Sequence, residues 1–119
     1  MAQRRTIESL HYPYLQISWR VRDVEQEGLA YVDTGFDGHL AIPESAAGLL
    51  GLPDLLIPYR LASNQQVSAP AYAGSITLLG WSLLPATIIA MGSEMILGRR
   101  IIDSFRVTFD HGRRILVEP

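Results

Sequence analysis

The tripeptide Asp33-Thr34-Gly35 holds the residues of this sequence whose types and spacing could do chemistry. Residues 29–32, just before it, are all apolar and predict a strand that is buried on both faces. Because an unpaired carboxylate is unfavourable at the end of such a strand, Asp33 needs either a partner or a function. Two interpretations are open: Asp33 is a catalytic acid, or it begins a turn and caps its own loop with its side chain.

Other kinds of active site have no support in this sequence. The histidines, His11, His39 and His111, stand far apart and lack the spacing of metal ligands. The absence of cysteine removes disulfides, thiolate nucleophiles and cysteine-based metal sites. Neither a glycine-rich phosphate loop nor the nucleophile elbow of a serine hydrolase occurs. We therefore expect no metal and no cofactor.

Charge and hydropathy argue against nucleic acid and membranes as partners of this chain of 119 residues. The net charge is −2, which gives no electrostatic basis for binding nucleic acid or an anionic membrane. The most apolar region, residues 78–91, contains glycine, serine and proline and is too short to span a bilayer. Residues 1–8 lack the apolar stretch of a signal peptide. We expect a cytoplasmic protein.

Most of the chain predicts short strands joined by turns. Residues 15–21 alternate between apolar and polar side chains, which is typical of a half-buried strand. Three hairpins are predicted: residues 15–32 around a polar turn at 23–28, residues 55–79 around a turn at 63–66, and residues 107–117 around a turn at 110–113. Gly80-Trp81 predicts a further turn.

Two short helices are also predicted. Pro43 suits the first turn of a helix over residues 43–50, and Gly51 suits its C-terminal cap. Residues 99–105 can form a second brief helix with its aliphatic side chains facing inward. The whole pattern predicts one compact, mostly β domain.

Two separated motifs carry a resemblance to a known family. The first reads Tyr31-Val32-Asp33-Thr34-Gly35-Phe36-Asp37, and the second reads Ile96-Leu97-Gly98-Arg99-Arg100-Ile101-Ile102. They resemble the catalytic loop and the segment after the flap in retropepsin-like, retroviral-type aspartic proteases. The ending, residues 105–119, is more similar to the cellular DNA-damage-inducible-type retropepsin-like domains.

The resemblance covers the chain from about Leu15 onward and implies an all-β fold. That fold is a closed, barrel-like acid protease lobe with one or two short helices and its active site at a two-fold dimer interface. We expect residues 14–119 to form this single domain and residues 1–13 to be an N-terminal segment. Part of the interface is expected to be a sheet made from terminal strands of both chains.

Carried over residue by residue, the resemblance implies a catalytic role for the first motif. Asp33 matches the catalytic aspartate, Thr34 the residue whose hydroxyl reaches across the dimer, and Gly35 the position where backbone approaches substrate. Peptide hydrolysis of this type uses two carboxylates that share one proton around a water. This chain has no second D-T-G or D-S-G sequence, so the second carboxylate must come from a second copy.

The resemblance also implies residues that bind substrate and residues that support the site. The implied substrate-binding residues are Phe36, Asp37 and, at the flap tip, Ser63, Asn64 and Gln65. Phe36 replaces a small residue of the retroviral enzymes, so its ring is expected to narrow the neighbouring subsite. Gly98 is implied to pack on the catalytic loop without room for a side chain, and Arg99 to form an ion pair with Asp37.

The leading interpretation is a homodimeric aspartic endopeptidase that cleaves extended peptides or protein segments. An alternative is a catalytically silent module of the same fold, for dimerisation or peptide binding. The intact first motif argues against this alternative, and the glycine-free flap tip argues mildly in its favour. A third, weaker interpretation is a small β-barrel that binds a ligand.

Overall fold

The structure, a computed structural model, describes residues 6–60, 62–78 and 84–119, and these form ten strands and two short helices. The strands are β1 (Ile7–Ser9), β2 (Tyr14–Val21), β3 (Val24–Val32), β4 (Leu40–Ile42), β5 (Leu55–Arg60), β6 (Gln66–Leu78), β7 (Leu84–Ala90), β8 (Ile96–Leu97), β9 (Arg106–Asp110) and β10 (Arg114–Glu118). A 3-10 turn at Glu44–Ala46 leads into α1 (Ala47–Leu50), and α2 spans Arg99–Ile102. The turn predicted at Gly80-Trp81 lies outside the described residues. Neither of these helices is long and apolar enough to cross a membrane.

Six strands close into a barrel. The main sheet has the order β2-β3-β8-β4-β7-β6-β5, and β2 also pairs with β6, so β5 is the one strand left outside the closed ring. The residues of β2 alternate as predicted: Leu15, Ile17, Trp19 and Val21 are buried, and the side chains between them are not. Tyr72 of β6 fills the same core. The predicted all-β, barrel-like lobe with short helices is confirmed.

Strand β8 lies between two strands that are consecutive in the chain. It pairs in parallel with β3 and antiparallel with β4. The loop of residues 33–39, which joins β3 to β4, must therefore pass over the end of β8. This topology brings the first motif of the sequence directly against the second.

A smaller sheet joins the two ends of the described chain. Its order is β1-β10-β9, so β10 is paired on both sides within one chain. Ile7 of β1 packs in the main core together with Ile115 and Val117 of β10. No strand was predicted before Leu15, and β1 therefore adds an element to the segment of residues 1–13.

The β2–β3 hairpin turns earlier than the sequence predicted. Val21 pairs with Val24, and the turn consists of Arg22, at φ 53°, and Asp23. Residues 25–27, predicted to belong to the turn, lie instead in β3 and are exposed. Because successive strand residues point to opposite faces, this end of β3 is solvated on both faces, and such a strand end accepts polar residues as readily as a turn does.

Two further predictions differ from the structure. Residues 29–32 are not buried on both faces, because a barrel strand has one inner face: Ala30 and Val32 are buried, whereas Leu29 is 38% exposed. The second helix ends at Ile102 and not at Phe105. Beyond Ile102 the chain forms a tighter turn, in which the N–H of Phe105 donates a hydrogen bond to the O of Ile102.

Candidate active site

Asp33 follows the last residue of β3 and is held by backbone and side-chain hydrogen bonds. Its N–H donates to the O of Leu97 at 3.0 Å, and its O accepts from the N–H of Phe36 at 3.2 Å. Its carboxylate Oδ1 accepts a 2.8 Å hydrogen bond from the N–H of Gly35. This hydrogen bond is the one expected if Asp33 begins a turn and caps its own loop with its side chain. Because Oδ2 accepts no hydrogen bond from the described residues, the same capped carboxylate keeps one oxygen for another partner.

The loop that carries Asp33 is tied to the second motif through the backbone. The additional hydrogen bonds run from Tyr31 N–H to Met95 O (2.9 Å), from Gly98 N–H to His39 O (2.9 Å), from Arg99 N–H to Phe36 O (2.7 Å) and from Arg100 N–H to Gly38 O (3.1 Å). The two motifs, far apart in sequence, thus form one hydrogen-bonded unit. Thr34 and Gly35, which follow Asp33, are exposed at its surface.

Gly98 lies at the tightest contact between the two motifs. A Cβ built on Gly98 would lie 2.2 Å from the O of Gly38 and 2.7 Å from Cδ2 of Phe36. A carbonyl oxygen of the backbone cannot move aside as a flexible side chain can. Position 98 therefore has no room for a side chain, in agreement with the packing that the resemblance implies.

The ion pair predicted between Asp37 and Arg99 is not formed. The guanidinium of Arg99 lies 3.6 Å from the carboxylate of Asp103, one helical turn further along the chain. Arg99 and Asp103 are four residues apart, and side chains at that spacing lie on the same face of a helix. Among the described residues, Asp37 makes no ion pair.

The ring of Phe36 connects the loop of residues 33–39 to the flap, which we define as β5 and the facing half of β6, residues 55–71. Phe36 is half-buried and packs against a small cluster formed by Ala69, Ala71 and Ile89. Its ring also lies over the bare backbone of Gly98. That the ring narrows a substrate subsite stays a prediction.

The flap tip turns without glycine. Pairing of β5 with β6 ends at Arg60 and Gln66, and the tip residues Ser63, Asn64 and Gln65 are exposed. Asn64 adopts a left-handed φ of 69°, which asparagine tolerates better than most residues. Nη1 of Arg60 also donates a 3.3 Å hydrogen bond to Oδ1 of Asn64. Asn64 thus takes the position in which a glycine is often found.

A cavity of about 270 Å³ opens beside the loop of residues 33–39, under β5. Its polar lining residues are Asp37, His39, Tyr59, Thr87 and Arg100, and its apolar ones include Ile57 and Ile89. Only Asp37 was predicted to bind substrate. The others come from four separate segments (the loop before β4, β5, β7 and α2), and the sequence contains no spacing signal that joins them, although Arg100 belongs to the second motif.

The environment of this cavity fixes the protonation of two of its residues. Burial, and to a smaller extent the positive charge of Arg100, lowers the pKa of His39. Nδ1 of His39 accepts a 3.3 Å hydrogen bond from the N–H of Thr87, so the ring proton lies on Nε2. Burial, followed by the carboxylate of Asp37, raises the pKa of Tyr59, so the hydroxyl holds its proton more firmly than an ordinary tyrosine does.

The described residues contain no group of three or more His, Asp or Glu side chains that could hold a metal ion. The histidines serve other contacts: His39 accepts a hydrogen bond from the backbone, and His111 lies against Asp110 in the β9–β10 turn. His11 is exposed.

Comparison with known proteins identifies the fold. No protein-family model matches the chain, and no curated protein matches it. Among solved structures, the crystal structure of a retropepsin-like aspartic protease from Rickettsia conorii aligns with a TM-score of 0.61. The alignment covers 98% of this chain and 92% of that chain at 16% sequence identity. This chain has a retropepsin-like fold. In such a fold, Asp33 lies where the loop after β3 meets the β8–α2 segment.

Proposed function

We propose that two copies of this chain form an aspartic endopeptidase, in which each copy supplies one Asp33. The observation that carries the proposal is the geometry of the first motif in a retropepsin-like fold. The Asp33 carboxylate is fixed through Oδ1 by Gly35, keeps Oδ2 free of the described residues, and lies beside the exposed Thr34. A single chain of this kind provides one half of a two-carboxylate site.

The chemistry follows from two carboxylates placed close together. Like charges at short range oppose full ionisation of the pair, so the two groups share one proton, as in the aspartic-protease dyad. The ionised Asp33 takes a proton from a water as that water attacks the scissile carbonyl carbon. The protonated Asp33 of the other copy donates its hydrogen to the carbonyl oxygen. The C–N bond then breaks as the Asp33 that took the water proton gives it to the leaving nitrogen. The Asp33 of the other copy takes back a hydroxyl proton, so that a carboxylic acid and an amine are released and the pair again holds one proton.

An apolar patch beside the site supports a two-fold dimer. Leu10 is 72% exposed, and Tyr12 and Phe109 are also exposed, with their rings in edge-to-face contact at 6.3 Å between centroids. The patch adjoins the active site, because the O of Pro13 accepts a 3.0 Å hydrogen bond from the N–H of Val32. Since β10 is already paired on both sides, a sheet shared between copies would have to use the edge of β1 or β9.

Sedimentation velocity tests this assembly. We expect the chain to sediment as a dimer at micromolar concentrations, and Leu10→Asp to raise the dissociation constant because it places a charge in an apolar contact. Leu52→Asp is the matched control, since Leu52 is 85% exposed and lies away from the patch on the segment between α1 and β5. A purely monomeric chain that still cleaves peptides would contradict the proposal.

Peptide cleavage tests the function itself. Incubated with a peptide library between pH 3 and 7, the protein is expected to cleave internal bonds, and a hydroxyl-containing transition-state mimic is expected to inhibit it. The pH range is chosen because the site needs one protonated and one ionised carboxylate. Binding of the mimic without cleavage at any pH would favour the catalytically silent module instead.

A further inference from the structure

The cavity beside the catalytic loop has a size and position suited to one substrate side chain. At about 270 Å³ it is smaller than the pockets that hold whole drug-sized ligands. Its floor includes Asp37 and Gly38, which follow Asp33 in the same loop, and β5 of the flap lies along its other side through Ile57 and Tyr59. A peptide bound at Asp33 beneath the flap would pass its mouth.

The polar groups of this cavity include charges of both signs. The positive charge of Arg100 acts on His39, and the negative charge of Asp37 acts on Tyr59. Neither the Arg100 guanidinium nor the Asp37 carboxylate makes an ion pair with a described residue, although both line the same cavity. The cavity thus offers hydrogen-bond donors, from the guanidinium and the imidazole Nε2–H, together with carboxylate acceptors.

We propose that this cavity binds the carboxamide of a glutamine or asparagine side chain of the substrate, with Arg100 and Asp37 as its specificity-determining residues. The proposal rests on the function proposed above. A primary carboxamide carries an acceptor oxygen and two N–H donors, so its oxygen faces Arg100 and its amino group faces Asp37. A hydrogen bond to a charged group contributes more than one between neutral groups.

Charged and apolar side chains fit this cavity less well. With His39 neutral, Arg100 and Asp37 leave the lining with no net charge. A glutamate side chain is attracted by Arg100 but repelled by Asp37. A lysine side chain is attracted by Asp37 but repelled by Arg100. An apolar side chain such as methionine would remove water from both charged groups without replacing its hydrogen bonds. Among these side chains, the carboxamide is the one that can both accept from Arg100 and donate to Asp37.

Binding of uncleavable peptides tests the inference separately from catalysis. The probes are octapeptides with a central statine unit, in which each flanking position in turn carries Gln, Glu, Met or Lys, and fluorescence anisotropy gives the dissociation constants. At one position we expect the Gln peptide to bind about tenfold more tightly than the Met peptide. We also expect it to bind more tightly than the Glu and Lys peptides at that position.

Two variants assign the preference to the cavity. Arg100→Met is expected to remove the preference for Gln over Met and to make Lys the preferred residue, because Asp37 then acts unopposed. Arg113→Met makes the same chemical change at an exposed position in the β9–β10 turn, so the Gln preference should survive. Equal binding of the Gln and Met peptides at every position, or a Gln preference that survives Arg100→Met, would overturn the inference.

The outcomes for binding and cleavage separate the two proposals. A Gln preference without cleavage of the corresponding ordinary peptides would keep the inference and reject the endopeptidase. Cleavage without any Gln preference would reject the inference alone. Absence of both binding and cleavage would reject both.

Discussion

Replacement of Asp33 by Asn is expected to abolish peptidase activity while the fold and the dimer survive. Asn has almost the same volume and keeps Oδ1 as acceptor for the N–H of Gly35, so the loop retains its 2.8 Å hydrogen bond. The variant removes both ionisable groups of the shared site, and with them the general base and the general acid. We expect activity to fall by at least about 10³-fold. Loss of the like-charge repulsion should leave the dimer at least as stable near neutral pH.

Mixing the variant with the parent chain shows how many chains make one site. If each site uses one Asp33 from each copy, a mixed dimer has a single carboxylate and is nearly inactive. After random exchange of equal amounts, about a quarter of the dimers keep both aspartates, and activity per parent chain falls to about half. If each chain carried a complete site, activity per parent chain would not change.

Two controls make the mixing result decisive. Asp23→Asn makes the same chemical change at an exposed residue of the β2–β3 turn and should leave activity unaltered in pure and mixed samples. Exchange of subunits is verified with chains that carry two different affinity tags. Undiminished activity per parent chain, with exchange demonstrated, would rule out a site shared between copies.

The period-two alternation of residues explains why most of the barrel could be predicted. In β2, Leu15, Ile17 and Trp19 point into the core, and a one-residue shift would expose all of them, so the pattern fixes both the strand and its inner face. The contact between the two motifs was predicted only through the family resemblance. No local pattern indicates that Gly98 lies against the loop of residues 33–39, because that contact depends on β8 entering between β3 and β4.

Long charged side chains were harder to predict than backbone contacts. Arg99 was expected to pair with Asp37, but Asp103 lies one helical turn away from it. An exposed arginine loses little by exchanging one carboxylate for another, since surface ion pairs contribute about 0–1 kcal/mol. The backbone position of Arg99 in the second motif was therefore predicted correctly, whereas the ion-pair partner of its guanidinium was predicted incorrectly.

The cavity beside the loop of residues 33–39 could not be predicted from sequence for a different reason. His39, Tyr59 and Arg100 belong to the end of the loop, the flap and α2, and each type of residue is common on protein surfaces. Their proximity arises from tertiary packing of the loop, β5 and α2. Neither spacing nor hydropathy indicates such a juxtaposition, so this cavity is the part of the candidate site that sequence reasoning missed.

Replacement of Gly98 by Ala is expected to destabilise the protein strongly. The new Cβ would lie 2.2 Å from the O and 2.8 Å from the C of Gly38, so the loop must move or the second motif must tilt. Overpacking a tight site costs about 1–3 kcal/mol, and a clash with backbone belongs at the upper end, so we expect a loss of about 3 kcal/mol. The displaced loop should also lower activity, because a shift of about 1 Å in a catalytic group can reduce rates about 10²-fold.

Chemical denaturation measures the stability effect, and two further variants identify its cause. Gly48→Ala is the matched control: a Cβ there meets nothing within 4 Å, and alanine in α1 should raise stability by about 0.5–1 kcal/mol. Adding Phe36→Ala to Gly98→Ala removes the ring that lies 2.7 Å from the new Cβ but leaves the carbonyl of Gly38 in place. The double variant should therefore be no more stable than Gly98→Ala alone. Recovery of stability in it would place the clash at the ring, and an unfolding midpoint of Gly98→Ala equal to that of the parent would show that the two motifs are not packed as tightly as described.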